Sequence, residues 1–419
     1  MEPAYCTNVV AGHSLQETRT HLERVFAAVR QHVAPGGVLP LGLWLSARAA
    51  HDLCAEPDGP RRLRDWLAHH GLAVVTLNAF PYADFHGPVV KQQVYVPSWA
   101  DSRRLLYTVQ LAELLPELLP PGATHASIST VPLGWRPAFL AEHDGAAMGV
   151  ASAHLEQLVR HLARVEDRTG VRVHVDLEPE PGCMLQRAED VTGFFASALV
   201  ERRGQPDPRR YIGVCHDVCH AAVMFEGQQE VLRAYRQAGI RVGKVQISSA
   251  PCCSGAPDEL AVLASFAEAR YLHQTCVRAM GRMHFFEDLP RALAEAPPGE
   301  WRTHFHVPVF AARLGALATT QAQIRECLAV TTQWSADEEP QYEVETYAWD
   351  VLPPSAAGLA EDAGRPGGRG QLHGAANTGS AAADLTAGIA RELRWTIQAL
   401  AEARQAAAGA ADHPRAPGM

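Results

Sequence analysis

The chain has 419 residues, 47% of them hydrophobic and 20% charged, which is enough apolar mass for a folded core and too much for a disordered protein. Its 37 Lys and Arg against 46 Asp and Glu give a formal net charge of −9, which opposes a function built on neutralising nucleic-acid phosphates. The start, Met1-Glu2-Pro3-Ala4-Tyr5, lacks the charged and apolar regions of a signal peptide, and no run approaches the roughly 18 apolar residues of a membrane span, so a cytoplasmic protein without a span is expected.

Nine scattered cysteines are an odd number on a long chain and predict free thiols rather than a disulfide framework. The two lysines, Lys91 and Lys244, stand against 35 arginines.

Short β-branched runs alternate with long amphipathic stretches, the pattern of βα units around a parallel sheet. Strands are predicted at 5–9, 39–45, 73–80, 125–131, 171–178, 211–217, 242–248 and 342–347. Helices are predicted at 15–32, 102–118, 151–168, 191–203, 230–238 and 320–332. No G-x-G-x-x-G follows the first strand, which removes the main marker of a dinucleotide-binding fold and favours an α/β protein with a (β/α)8 TIM barrel over residues 1–352. Residues 270–309 hold two further β-like runs, 270–277 and 301–309, and read as an insertion at the barrel mouth before the last strand. Residues 353–383 are rich in Pro, Gly and Ala and read as a flexible loop. Residues 384–404 have helical spacing and close the barrel as its last helix, and 405–419 read as a disordered tail.

Catalytic groups of such barrels collect at the C-terminal ends of strands, where alternate side chains face the interior. In 171–178 the polar face is His174, Asp176 and Glu178, followed by Pro179-Glu180-Pro181-Gly182. The next strand ends at Asp217, with His220 three residues on, so both can reach one metal ion. Lys244, Gln246 and Ser248 share a face, as do Glu343 and Glu345, while His216 is expected to face helices or a neighbouring subunit. His304 and His306 share one face of an extended run, a spacing that a core strand has little reason to use. Glu180, Glu343, His174 and Asp176 read more readily as structural. Several inward carboxylates would each cost several kcal/mol if unpaired, and a divalent cation is the natural compensation. The stretch from Asn78 to Lys91, with Tyr82 and His86, is too long for a tight turn and is a candidate substrate-binding loop.

The order Glu178, Asp217 with His220, a polar residue at 246, and Glu345 resembles the metal set of xylose isomerase-like TIM barrels, which include sugar epimerases and AP endonucleases of the endonuclease IV type. Tyr5-Cys6-Thr7-Asn8-Val9, Asn78-Ala79-Phe80-Pro81-Tyr82, His86-Gly87-Pro88-Val89-Val90-Lys91, Ser129-Thr130-Val131-Pro132-Leu133-Gly134-Trp135 and Glu343-Val344-Glu345-Thr346-Tyr347 are similar to the EboE family of metabolite traffic proteins. The resemblance runs from about residue 5 to 352 and resumes in the last helix. It implies that Glu178, Asp217, Gln246 and Glu345 form a primary metal site, and that His220, His304 and His306 match imidazoles holding additional metals in the nuclease branch. Most relatives have His at the position of Gln246, and an amide oxygen serves harder ions, which leaves Mn, Mg and Zn all open.

The function this suggests is metal-dependent isomerisation or epimerisation of a small polyhydroxylated metabolite, with Glu178 and Glu345 exchanging the proton on carbon and Lys244 balancing the charge that develops. The alternatives are a binding or trafficking protein that holds a metabolite without turnover, with partners in a trafficking pathway, and a metal-dependent phosphodiesterase, which the charge balance disfavours.

Overall fold

The structure, a computed structural model, describes residues 2–10, 12–83, 85–353 and 378–411. Seven parallel strands come first: β1 Ala4–Cys6, β2 Leu39–Trp44, β3 Leu72–Asn78, β4 His125–Thr130, β5 Arg172–Leu177, β6 Ile212–Asp217 and β7 Val242–Ile247. Six short strands follow: β8 Pro251–Cys253, β9 Thr275–Ala279, β10 Arg282–Phe286, β11 Glu300–Thr303, β12 Arg313–Leu314 and β13 Leu317–Thr319. Then β14, Gln341–Val344, closes the ring between β7 and β1. The closed order β1-β14-β7-β6-β5-β4-β3-β2 is that of a (β/α)8 TIM barrel.

The helices start and stop on local signals. Ser14 and Glu17 form a capping box at Leu15–His21, Asp101 caps Ser102–Leu118, and Gly170, at φ +72°, ends the long helix Ala147–Thr169. Helices at Ala47–Ala55 and Gly59–His69, between β2 and β3, add to those that the apolar spacing predicts. The stretch expected as a strand over 5–9 ends at Cys6 and continues as a 3-10 turn, Thr7–Val9.

The insertion is wider than 270–309. β8 to β13 form one antiparallel sheet in the order β10-β9-β11-β8-β13-β12, so the second layer begins directly after β7 and ends at Thr319. Its own apolar core of Phe266, Val277, Trp301 and Phe305 joins the barrel mouth through Trp44, Phe85 and Tyr347. The run over 301–309 is a strand only to Thr303, and His304 and His306 lie in the irregular segment beyond it.

The last helix runs Thr378–Ala411, longer than the expected 384–404, so the ends of the expected loop and tail at 378–383 and 405–411 are helical. The rest of both segments, 354–377 and 412–419, lies outside the described residues. Glu392 fastens this helix to the barrel: its carboxylate accepts from Tyr5 Oη and Thr346 Oγ1 at 2.6 Å each, and from Val309 N and Trp349 Nε1 at 3.1 Å. All nine cysteines are free thiols. Among the described residues no helix is long and apolar enough to cross a membrane.

A charged pair lies among the buried polar residues of the barrel. Lys244 and Glu343 are fully buried and paired at 2.8 Å, with Lys244 Nζ also donating to Leu77 O and Ser129 Oγ. Gly42 on β2 makes room for this pair, because a Cβ there would fall on Glu343 Oε1.

Candidate metal centre

Four strand ends bring the polar groups together above that ion pair. Glu178 directly follows β5, Asp217 ends β6, Gln246 lies one residue from the end of β7, and Glu345 directly follows β14. Ligand atoms of Glu178, Asp217 and Glu345 lie within 4.8 Å of one another, all buried. Asp217 also caps the short helix Val218–Val223, accepting from His220 N at 2.8 Å, and that turn carries the His220 ring back over the barrel mouth.

The supporting hydrogen bonds leave one side of this group open. Glu345 Oε1 accepts from Asn8 and Asn78 at 2.7 and 3.0 Å, and Asp217 Oδ1 accepts from Ser248 Oγ at 2.8 Å. Glu178 Oε2, Asp217 Oδ2, both amide atoms of Gln246 and His306 Nε2 are buried without a hydrogen-bond partner. Each such group costs about 1–3 kcal/mol if nothing compensates it. Two carboxylates and an imidazole with free buried atoms, grouped with Glu345 and with Gln246 on the neighbouring strand, fit a divalent cation.

The three histidines sit beside the carboxylates. His220 Nδ1 donates to Pro179 O at 3.0 Å, and His304 Nδ1 donates to Gln274 Oε1 at 2.8 Å, since the Gln274 amide nitrogen is spent on Tyr95 and Glu180. Both Nε2 atoms therefore carry lone pairs, and they face each other at 3.2 Å. Two lone pairs at that distance repel. The same separation suits two nitrogens on one tetrahedral ion, which lie roughly 3.3 Å apart for Zn–N bonds of about 2.0–2.1 Å. His306 Nδ1 donates to Glu345 O at 2.8 Å, which leaves its Nε2 3.8 Å from Asp217 Oδ2. Asp217, His220 and His306 form one group within 4.8 Å, as do Glu180, His220 and His304, and Cys219, His304 and His306.

Burial sets the protonation. It pushes Glu178 well above the usual carboxyl range, reinforced by the charges of Glu345 and Asp217, and it pushes Glu345 up to about 8, reinforced by Asp217 and Glu343. It lowers His220 to about 4 and lowers His304 and His306 as well, so the imidazoles are neutral, the form that binds metal. A bound cation would reverse the carboxyl shifts.

Glu178, Asp217, Glu345, His220, His304 and His306 thus come together, with Gln246 beside Asp217 in strand register. Other expectations need correction. Lys244 does not line the cavity, because its ammonium is spent on Glu343 below the carboxylates; it reaches them through its field, which lowers both Glu178 and Glu345. Asn78 donates to Glu345 Oε1 at 3.0 Å and does not line the cavity. Tyr82 packs edge-on against Tyr107 and lines a groove between the helices Ala47–Ala55 and Ser102–Leu118 instead. His86 is tied down by donating from Nε2 to Asn8 O at 2.6 Å. Lys91 does border the cavity, with φ +42° and its Nζ 2.7 Å from Asp288 Oδ2. His216 faces the helix Gln228–Gln237, 2.6 Å from Gln228 Oε1.

Asn8, Gln274, Glu180 and Cys219 join the centre without having been expected there. Glu180 follows Glu178 by two residues on the same alternating face, which is a usable signal. Asn8 and Gln274 carry none, since a 3-10 turn and an irregular loop have no period to read. The cavity above these groups has a volume of about 50 Å³ and is walled by Phe80, Phe85, Tyr95, Tyr271 and Tyr347.

No family model matches the chain, and no curated protein matches it. Solved structures do. A xylose isomerase-like TIM barrel protein from Mycobacterium smegmatis in complex with magnesium is 12% identical, with 96% of this chain and 97% of that one covered and a TM-score of 0.49. A D-tagatose 3-epimerase-like protein is 12% identical over 59% of this chain and 76% of that one, with a TM-score of 0.36. The IOLI protein with a binding zinc atom is 12% identical over 59% and 73%, with a TM-score of 0.35.

Proposed function

We propose that the protein is a divalent-metal-dependent enzyme of the xylose isomerase-like kind that isomerises or epimerises a small oxygenated metabolite. The observation that carries this reading is the grouping of Glu178, Asp217 and Glu345 within 4.8 Å of one another, with Glu178 Oε2 and Asp217 Oδ2 buried and unpartnered, and with the unpartnered Gln246 beside Asp217 in strand register. When bound there, the ion supplies polarisation of a carbonyl and its adjacent hydroxyl. Glu178 and Glu345 reach the mouth from β5 and β14, with β6 and β7 between them. One is placed to take a proton from carbon and the other to return it on the opposite side. Asn8 and Asn78 hold Glu345 in one orientation, and Lys244 offsets part of the negative charge from beneath. The carboxylates and Gln246 suit Mg or Mn, and the imidazoles suit Zn.

A second reading is a metabolite-binding protein of the EboE-like trafficking kind, which would hold its ligand behind segment 85–95 without turning it over. About 50 Å³ holds an ion with its waters and not a whole sugar. Val90 N and Lys91 N donate to Arg270 O at 2.7 and 2.9 Å, and these bonds with the Lys91–Asp288 pair close segment 85–95 over the mouth. A substrate enters only when this segment moves.

The test is elemental analysis of the purified protein beside its Asp217→Asn and Glu345→Gln variants, followed by incubation with a panel of ketoses and hydroxyketones in deuterated water. At least one ion per chain, lost in both variants, and metal-dependent deuterium uptake into one substrate are expected. Full metal content in both variants would remove the site; stoichiometric metal with tight ligand binding but no exchange would select the binding reading.

A further inference from the structure

At the opposite end of the barrel, the loops leading into β5, β6, β7 and β14 enclose a second cavity, of about 490 Å³. Its wall carries Arg172, Arg209, Arg210, Arg236 and Arg241, with Trp334. Five arginines in one cavity are an unusual concentration for a chain of net charge −9, and their partners do not cancel them. Arg236 pairs with Glu338 at 3.2 Å and lies over the Trp334 ring, while Arg210 pairs with Glu166. Arg209 donates to Ala238 O at 2.6 Å, at the end of the helix Gln228–Gln237, and Arg241 donates to Asp337 O at 3.3 Å. Neither these two nor Arg172 makes an ion pair among the described residues, and the buried Arg172 Nε has no hydrogen-bond partner at all. Asp207, the other acid in the wall, is spent on capping the turn Pro208–Tyr211.

We infer that this cavity is a binding site for a small phosphorylated or sulfated anion. The volume is that of a metabolite site. Guanidinium groups present paired N–H donors that match the oxygens of a tetrahedral anion, and Arg172, Arg209 and Arg241, which have no carboxylate of their own, are stabilised when such an anion sits among them. Burial followed by the charges of Arg241 and Arg210 lowers Arg172 and outweighs the opposing charge of Glu166, so the three arginines share one field. The flat face of Trp334 gives the body of a ligand a surface to lie against. Because the site faces away from Glu178 and Glu345, it stands independently of the proposed function. Chemistry on such barrels sits at the other face, so the anion here is an accessory or regulatory ligand rather than a substrate.

Isothermal titration of the full chain with inorganic phosphate, and separately with glycerol 3-phosphate, tests this. One equivalent of saturable binding is expected, weakened at least about tenfold by either Arg172→Ala or Arg241→Ala, since each removes charge-assisted hydrogen bonds. It should be unchanged in Arg202→Ala, which alters an exposed arginine paired with Glu156. Asp217→Asn should also bind normally, and far-UV circular dichroism confirms each fold; if Arg172→Ala does not fold, Arg241→Ala alone decides. No saturable heat with either anion, equal loss in Arg202→Ala, or loss in Asp217→Asn, which would move the anion to the metal centre, overturns the inference.

Discussion

In the proposed metal site, Gln246 would set which ion is preferred. Its amide oxygen is the one neutral oxygen among three carboxylates, and a harder ion accepts it more readily than zinc does. Replacing it by His should raise zinc affinity by about tenfold or more relative to magnesium, read by competition with a chromogenic chelator; an unchanged ratio would take residue 246 out of the ligand set. Strand alternation makes Glu178, Asp217, Gln246 and Glu345 legible from the sequence, because inward positions repeat every two residues. Alternation carries no depth along the barrel axis. Lys244 and Gln246 share a face, yet register places Lys244 beside Gln341 and Gln246 beside Glu343, which leaves the lysine a layer below the chemistry. Lys244→Met should therefore destabilise the fold by roughly 3–5 kcal/mol, the penalty for stranding the buried Glu343 charge. Adding Glu343→Gln should recover part of the loss in urea denaturation. A single variant as stable as the unaltered chain would mean that the pair contributes nothing.

The C-terminal helix packs on the barrel through Ile389, Leu393 and Leu400 and carries one buried carboxylate, Glu392. Four donors point at Glu392, but burial outweighs them and pushes its carboxyl up to about 7. A carboxyl whose pKa is higher folded than unfolded binds more protons in the folded state, so stability falls as pH rises from about 4.5 to about 7 and stays reduced above that. Glu392→Gln keeps a hydrogen-bonding side chain of the same size without the charge. Its melting temperature should vary less than that of the unaltered chain across this window, and identical pH profiles would show that the latch stays ionised throughout. Helical spacing reveals this helix, though not its length or its fastening, because Tyr5, Val309 and Thr346 come from three distant parts of the chain. The inserted sheet is half legible for a similar reason. Three of its strands are only two or three residues long, too short to show an alternation.

Two apolar cores flank the candidate metal centre, one between the barrel strands and their helices and one beneath the inserted sheet. Glu178, Asp217, Gln246 and Glu345 belong to the barrel, while His304 and His306 come from the insertion, so an ion among them ties the layers together. The segment 85–95 rests on the same insertion through Arg270 and Asp288. Metal binding is then folding free energy for the whole molecule. At a free ion concentration a hundred times its dissociation constant it contributes about 2.7 kcal/mol, enough to move the melting temperature by a few degrees in a chain of this size. Ligation needs ionised carboxylates, and Glu345 is pushed up to about 8 without an ion. Protons therefore compete with the metal below that pH, and the apparent affinity should rise from pH 6 to pH 8 with release of protons to the buffer. Removing the ion with a chelator at pH 8 should lower the melting temperature and speed amide exchange in residues 85–95 and 301–310. Exchange in the helix Ala147–Thr169, on the barrel's outer wall, should stay slow. An unchanged melting temperature on both chelation and readdition of Mg, Mn or Zn would show that no ion joins the two layers.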